Sequence, residues 1–158
     1  KDIDKVGDLE KLGPEAFGGD LNLKSFCERL MLLPEGKIKQ ILMDQEIITG
    51  VGNIYSDEML WVAGVHPLAK PKDISKETYA KMFTTMQKIL KFSIGIGGDS
   101  DSDYRDVEGK GGQFQNLHKA YHQTGKPCRK KNCPGIILRL KVGGRSAHFC
   151  NVHQKKKV

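Results

Sequence analysis

The chain has 158 residues, of which 38% are hydrophobic and 28% are charged, and it contains four cysteines. This length suits one domain, or one domain with a small module attached. No apolar run reaches the roughly 20 residues that a membrane-spanning helix needs, and few cysteines without an export signal favour a reducing compartment. We therefore expect a monomeric cytoplasmic protein without a membrane partner.

Charge is distributed unevenly along the chain. Twelve of the 26 Lys and Arg residues lie between positions 109 and 158, where Asp and Glu are absent. A face of one sign attracts polyanions and releases their counterions on binding, so we predict nucleic acid as the partner. A solvated basic tail is the alternative, and it applies best to the run 155–157 taken alone.

The first predicted elements are helices. Residues 1–21 contain several glycines and no sustained period, which is typical of a linker or of the tail of a preceding domain. Asn22 is a possible cap for a helix whose apolar residues continue to Met31, and a short helix is predicted over 37–42. A glycine turn then leads into a third helix, over about residues 54–63.

A longer helix and a hairpin complete the predicted elements. Ser75 caps a helix that runs to about Phe92, and its apolar stripe is expected in the core. Residues 93–113 are rich in Gly, Asp and Ser and predict a mobile loop. A two-glycine turn at 143–144 predicts a β-hairpin over residues 136–149. We expect a mainly α fold with this hairpin at its C-terminal end.

Four potential metal ligands follow the spacing Cys128-x4-Cys133-x16-Cys150-x2-His153. Thiolates with an imidazole suit tetrahedral zinc, and two ligand pairs that flank a hairpin are typical of a structural zinc ribbon. Free thiols or a disulfide are the alternatives. His148 is a rival fourth ligand, but the two residues between Cys150 and His153 favour a knuckle turn that uses His153.

Two further features suit contacts with phosphate. The turn 50–53 opens a helix whose free N–H groups attract anions, and its glycines permit close approach. Asn53 in this turn could instead be an ordinary N-cap. Arg145 follows the hairpin turn, from which it can reach phosphates or a minor groove; an exposed arginine without such a role is the alternative.

Together, these segments resemble the formamidopyrimidine-DNA glycosylase and endonuclease VIII family, nearer its formamidopyrimidine branch. The segments that match its helix-two-turns-helix signature, its loop and its zinc-finger hairpin are residues 42–45, 50–60, 64–67, 97–128 and 144–150. The similarity covers about residues 30–154. It implies a helix-two-turns-helix bundle over 22–117 and a zinc finger over 118–158, here called the finger.

The resemblance implies roles for individual residues. Asn53, with Gly52 beside it, resembles the position that holds a phosphate next to the lesion, and Lys39 resembles a second phosphate contact. Arg145 looks like the arginine that grips the phosphates around the damaged nucleotide and donates a proton in δ-elimination. Tyr121 belongs to the same matching segments and is expected at the DNA surface.

The resemblance also implies an enzyme. Such proteins remove 8-oxoguanine and formamidopyrimidines from damaged double-stranded DNA and then cleave the strand at the abasic site. Residues 98–112 resemble the loop that closes as a lid over the flipped-out base in these enzymes. Their nucleophile is an N-terminal proline amine followed by a glutamate, which Lys1-Asp2 does not match. We therefore expect a piece of a bacterial, nucleoid-associated enzyme that is inactive by itself.

A non-catalytic zinc ribbon that binds RNA or the ribosome is the alternative function. Two features depart from the family pattern: His153 stands where a cysteine is common, and the first ligand pair encloses four residues instead of two. Both still suit zinc. The loop over 93–113 is unusually acidic, which leaves the preferred lesion open.

Overall fold

The computed structural model describes residues 11–95 and 117–156. Its elements in chain order are α1 (Leu23–Leu30), α2 (Ile38–Leu42), α3 (Asn53–Ala63), a 3-10 helix (Pro71–Asp73), α4 (Lys76–Gly95), β1 (Ile137–Val142) and β2 (Arg145–Cys150). This arrangement confirms the expected mainly α fold with a C-terminal hairpin. Within the described ranges, no helix is both long and apolar enough to cross a membrane.

Two helices begin at their predicted caps. Asn22 Oδ1 accepts the backbone N–H of Ser25 at 2.9 Å, and Ser25 Oγ accepts the N–H of Asn22 at 3.0 Å, which together form a capping box. At the start of α4, Ser75 Oγ accepts the N–H of Thr78 at 3.2 Å. These short polar side chains satisfy first-turn donors that have no acceptor within the helix.

Helix α4 continues past its predicted end at Phe92. It is helical through Gly95, the last described residue before the gap, so residues 93–95 belong to the helix and not to the predicted loop. Residues 96–113 of that loop lie outside the described residues. The reason is a tertiary contact: Ser93 is buried, and its hydroxyl lies 2.7 Å from the hydroxyl of Tyr55 on α3. This contact holds the last turn, which the local sequence only weakly favours.

The start of α3 also differs from the prediction. Gly52 is the N-cap, Asn53 is the first helical residue, and no described side chain caps the helix. Asn53 is therefore not the N-cap of α3. Within this first turn, Ser56 Oγ donates to the carbonyl oxygen of Gly52 at 2.8 Å. At the other end, Gly64 takes a φ of 75°, the left-handed conformation that ends helices and favours glycine.

The four α-helices share one hydrophobic core. Its largest fully buried apolar side chains are Phe26, Leu30, Ile38, Leu42, Ile48, Met59, Leu60 and Met82. Phe26 packs edge-on against Tyr79, with ring centroids 6.4 Å apart, and lies 5.5 Å from the ring of Phe83. The apolar stripe predicted on α4 is thus confirmed as part of the core.

Part of the predicted linker also belongs to this core. Ala16 and Leu21 are 1% and 5% exposed. The N–H of Ala16 donates to the carbonyl oxygen of Thr49 at 2.8 Å. In turn, the N–H of Thr49 donates to the carbonyl oxygen of Pro14 at 3.0 Å. Backbone pairing of this kind leaves no period in the sequence, so the pattern of residues 1–21 did not reveal it.

Replacing Gly13 by Ala should destabilise the helical core. A Cβ at Gly13 would lie 2.5 Å from the carbonyl oxygen of Ile47 and 2.8 Å from that of Glu46, and backbone atoms do not move aside easily. We expect the free energy of unfolding, measured with urea, to fall by about 1–3 kcal/mol, the usual effect of overpacking. Gly95→Ala is the matched control because no atom of the described residues lies within 4 Å of its Cβ position. Equal losses in both variants would contradict this docking.

The hairpin rests on helix α3. β1 and β2 pair antiparallel, with Val142 opposite Arg145. Between them, Gly143 and Gly144 have φ values of 55° and 78°, as a two-residue type I′ turn requires. A second apolar cluster, separate from the helical core, consists of Trp61, Ala120, Cys128, Ile137 and Cys150. Because Trp61 comes from α3, this cluster attaches the hairpin to the helices.

Candidate metal centre and nucleic-acid interface

The four predicted metal ligands converge at the base of the hairpin. Cys128 and Cys133 precede β1, Cys150 ends β2, and His153 lies in the turn that follows. One potential ligand atom from each residue lies within 4.8 Å of the other three. The described residues therefore contain a cluster of three cysteines and one histidine that could hold a metal ion.

The separations between the ligand atoms fit tetrahedral coordination. Cys133 Sγ lies 3.6 Å from Cys150 Sγ and 3.7 Å from His153 Nδ1, and Cys128 Sγ lies 3.4 Å from the same nitrogen. A tetrahedral ion with bonds of about 2.3 Å to sulfur and about 2.0 Å to nitrogen separates its ligands by about 3.5–3.8 Å. These three separations are close to those of an occupied site, and the remaining ones are at most 4.8 Å.

Neighbouring groups prepare the cluster for a cation. His153 Nε2 lies 2.9 Å from the carbonyl oxygen of Trp61, so Nε2 carries the proton and Nδ1 turns its lone pair to the thiols, as in metal-bound histidines. Burial raises the pKa of Cys128 to about 11, although a hydrogen bond from the backbone of Lys130 opposes that shift. The indole N–H of Trp61, which packs in the same cluster as Cys128, is buried and has no hydrogen-bond partner among the described residues. A cation that converts Cys128 into a thiolate would provide the missing acceptor.

His148, the rival ligand, lies outside the cluster. It is 3% exposed, and its Nδ1 lies 2.8 Å from Asp57 Oδ2 on α3. The backbone N–H of His148 donates to the same oxygen at 3.0 Å. The side chain is therefore directed at α3, and the structure places His153 rather than His148 among the cysteines.

Lys39 does not reach the surface. It is fully buried, and its Nζ donates to the carbonyl oxygen of Asn53 at 2.8 Å and to Ser56 Oγ at 2.9 Å. It also forms an ion pair with Asp57 Oδ1 at 2.7 Å. Burial lowers the pKa of Lys39, and the Asp57 carboxylate opposes that shift. All three ammonium donors are used inside the protein, which differs from the direct phosphate contact that the resemblance implied.

Two carboxylates that the sequence analysis did not single out join α3 to the finger. Asp57 accepts both hydrogen bonds from His148. Glu58, which is 3% exposed, accepts the backbone N–H groups of residues 119, 120 and 121 at 2.9–3.0 Å. Buried carboxylates require such donors. The available signal was an Asp-Glu pair inside a helix that is otherwise largely apolar.

Tyr121 lies against the hairpin. Its ring stacks on that of His122, with centroids 4.1 Å apart, and meets the ring of His148 edge-on at 5.1 Å. Its backbone N–H is one of the donors to Glu58. Tyr121, which was predicted to contact DNA, is thus half-buried. It contacts α3 and β2, the two elements that carry Asn53 and Arg145.

Asn53 and Arg145 lie at the same end of the structure. Three contacts show that β2 and the residues after it run parallel to α3, namely Asp57 with His148, Trp61 with His153, and Val65 with Gln154. Asn53 precedes the first of these contacts by about 6 Å of helix. Arg145 precedes it by about 10 Å of strand. Both residues therefore extend beyond the first contact in the same direction.

Helix α2 makes a second link between these two regions. A Cβ on Gly143, in the hairpin turn, would lie 2.8 Å from the side-chain Cδ of Gln40. Lys39, which precedes Gln40 on α2, donates a hydrogen bond to the backbone carbonyl oxygen of Asn53. Helix α2 therefore lies beside both the hairpin turn and the start of α3.

The start of α3 is open to an anion. Gly52 is exposed, and no described side chain caps the first turn. Free N–H groups at a helix start attract negative charge. With Arg145 exposed at the same end, the geometry suits a polyanion that touches both.

Known proteins are similar to this chain in sequence and in fold. The formamidopyrimidine-DNA glycosylase of Prochlorococcus marinus (strain MIT 9515) is 42% identical over 147 residues, which cover 93% of this chain and 49% of that protein. The chain spans about half the length of the curated relatives it matches. Relatives of this kind confirm the predicted resemblance.

Solved structures agree. The MutM (Fpg) protein from Thermus thermophilus has a TM-score of 0.87 and 31% identity, over 99% of this chain and 59% of that chain. Lactococcus lactis Fpg in complex with abasic-site DNA has a TM-score of 0.84 and 34% identity, over 98% of this chain and 56% of that chain. The sequence also matches the family described as formamidopyrimidine-DNA glycosylase H2TH domain over residues 12–105. The chain therefore belongs to the formamidopyrimidine-DNA glycosylase H2TH domain family.

Proposed function

We propose that the chain is the DNA-binding part of a bacterial base-excision-repair enzyme, a DNA glycosylase with abasic-site lyase activity that acts on oxidised purines such as 8-oxoguanine and formamidopyrimidines. The observation that carries this proposal is the position of Asn53 and Arg145 at one end of two elements that buried hydrogen bonds join. The relatives named as formamidopyrimidine-DNA glycosylases, and a structural neighbour bound to abasic-site DNA, support it.

A finer architecture is part of the proposal, and the match to the H2TH family supports it. In it, α2 and α3, with the turns between them, form the helix-two-turns-helix within a helical domain at residues 22–117. The finger at 118–158 carries the hairpin. The lid that the resemblance assigns to residues 98–112 lies outside the described residues.

Zinc is the metal that suits the cluster. Three thiols and one imidazole are a preferred donor set for zinc, and four protein ligands leave no position for a water or a substrate. When bound, zinc would supply a structural cross-link and no chemistry. The four ligands Cys128, Cys133, Cys150 and His153 would then hold the base of the hairpin and keep its turn in place.

The DNA contacts are divided between α3 and the hairpin. The helix start at Gly52 and Asn53 would hold one phosphate, and the Arg145 guanidinium would hold the phosphates around the damaged nucleotide. Tyr121 would lie beside them. Lys39 acts indirectly, by fixing the backbone of Asn53. In the whole enzyme, Arg145 would also donate the proton in δ-elimination.

Binding to damaged DNA tests the proposal directly. Fluorescence anisotropy at one fixed salt concentration would compare three labelled probes: a duplex with a tetrahydrofuran abasic-site analogue, the intact duplex and an RNA hairpin. We expect the abasic duplex to bind at least about tenfold more tightly than either other probe, a difference of about 1.4 kcal/mol. We expect no strand cleavage by these 158 residues. Equal affinities would contradict the proposal, and tighter binding to RNA would favour the zinc-ribbon alternative.

A further inference from the structure

We infer that Asp57 is a positioning residue that holds the two DNA contacts, Asn53 and Arg145, in a fixed relation to each other. The inference rests on the proposed function and adds a residue that does not itself touch DNA, because Asp57 is only 1% exposed. One of its carboxylate oxygens accepts a hydrogen bond on the side of Asn53, from Lys39, and the other accepts one on the side of Arg145, from His148.

The first oxygen connects to the start of α3. Oδ1 of Asp57 accepts Lys39 Nζ at 2.7 Å, and Nζ also donates to the carbonyl oxygen of Asn53 at 2.8 Å. Lys39 belongs to α2, whose next residue, Gln40, lies beside the hairpin turn. The carboxylate therefore fixes α2 and the proposed phosphate site of α3 together.

The second oxygen connects to the hairpin. Oδ2 of Asp57 accepts both the backbone N–H of His148 at 3.0 Å and its Nδ1 at 2.8 Å. A strand whose backbone and side chain bond to one buried atom cannot slide along the helix without breaking both bonds. Only two residues separate His148 from Arg145 on β2. The bonds between Asp57 and His148 therefore fix the position of β2 relative to α3 at a point close to Arg145.

The other links between α3 and the finger act elsewhere. Glu58 holds residues 119–121, which lead into the finger. The metal cluster lies at the opposite end of β2 from Arg145. A hairpin anchored only at its base could tilt at its tip. Among the described residues, Asp57 is the carboxylate whose hydrogen bonds hold β2 near Arg145, next to the turn that Gln40 lies beside.

Two substitutions separate positioning from folding. His148→Phe removes the Nδ1 bond while it keeps an aromatic ring beside Tyr121 and leaves the Asp57–Lys39 ion pair intact. Asp57→Asn weakens the bonds to both Lys39 and His148, but it leaves the buried Lys39 ammonium without a counter-charge and can unfold the chain. Glu35→Gln makes the same charge change at an exposed carboxylate paired with two surface lysines, and it is the matched control.

The test measures affinity for the tetrahydrofuran duplex in the full chain, alone and combined with Arg145→Ala. We expect His148→Phe to weaken binding about tenfold while zinc stays at one ion per chain, and Glu35→Gln to leave affinity unchanged. Arg145→Ala should weaken binding at least about tenfold in the native chain but less than about threefold in the His148→Phe chain, because coupled residues are not additive. Residual dipolar couplings should fit one orientation for α3 and the hairpin only when Asp57 and His148 are both present.

Each other result has a distinct meaning. If Arg145→Ala keeps its full effect in the His148→Phe chain, or if the dipolar couplings still fit one orientation there, Asp57 does not position Arg145 and the inference is overturned while the proposed function stands. Loss of zinc from the His148→Phe chain would overturn it as well, since the contact would then serve folding of the finger. If the native chain does not prefer the abasic duplex, the proposed function fails and the inference fails with it.

Discussion

Replacing Cys128 by Ser is expected to release the metal and unfold the finger while α1–α4 keep their structure. A hydroxyl is a much weaker zinc ligand than a thiolate, and the three remaining ligands leave the site open. Zinc-finger peptides gain about 10–16 kcal/mol from binding the metal near pH 7. If even part of this binding free energy is lost, the small hydrophobic core of the finger cannot supply enough folding free energy to replace it.

The composition of the two cores explains why the effect should stay local. The finger cluster contains five buried residues, and two of them, Cys128 and Cys150, are themselves predicted ligands. A module of this size usually needs a metal or a disulfide. The core shared by the helices contains none of the four ligands. It therefore does not depend on the metal.

Zinc content and hydrogen exchange check this prediction. Atomic absorption should find about one zinc ion per native chain and none in the Cys128→Ser chain, and amide protection should disappear from β1 and β2 but remain in α4. Cys27→Ser is the matched control, because Cys27 lies on α1 outside the cluster. Complete loss of helical circular dichroism in the Cys128→Ser chain would contradict the expected independence of the helical core.

Replacing Arg145 by Ala is expected to weaken binding to the abasic duplex by about 10–100-fold, because hydrogen bonds to charged groups contribute about 1.5–3 kcal/mol each. The dependence of affinity on salt should also fall by about one phosphate contact. Arg145 is exposed, and surface substitutions usually change stability by about 0.5 kcal/mol or less. The melting temperature should therefore move by no more than about 2 °C.

Arg139→Ala separates a specific contact from general electrostatics. Arg139 is exposed on the same hairpin, and its replacement removes the same charge. We expect anisotropy titrations to show a much smaller loss of affinity for this variant than for Arg145→Ala. Equal losses would mean that the hairpin attracts DNA only through its net charge, and a fall of many degrees in melting temperature would mean that Arg145 is structural.

Features that depend on neighbouring residues were predictable. The spacing of Cys128, Cys133, Cys150 and His153 identified the cluster, because ligand chemistry restricts which residue types can occur together. The two-glycine turn identified the hairpin, because few residues tolerate its positive φ angles. The helix caps at Asn22 and Ser75 were likewise local signals, since a cap bonds within three residues.

Features that depend on burial were not predictable. Ser93 continues α4 because of a hydrogen bond to Tyr55, and residues 13–16 join the core through backbone pairing with a distant segment. Lys39 was expected at the DNA surface and is instead fully buried. In each case, the partner lies far along the chain, where a local pattern carries no information about it.

The sequence by itself determined the cluster of three cysteines and one histidine, the turn chemistry, the segregation of positive charge and the family resemblance, because each of these depends on residue types at fixed spacing. Only the tertiary structure decided that Lys39 is buried, that His153 rather than His148 joins the cysteines, and that Asp57 links α3 to the hairpin. Asp57 and His148 are 91 positions apart. A contact across that distance exists only once packing of α3 against the finger excludes water and makes an unpaired carboxylate unfavourable.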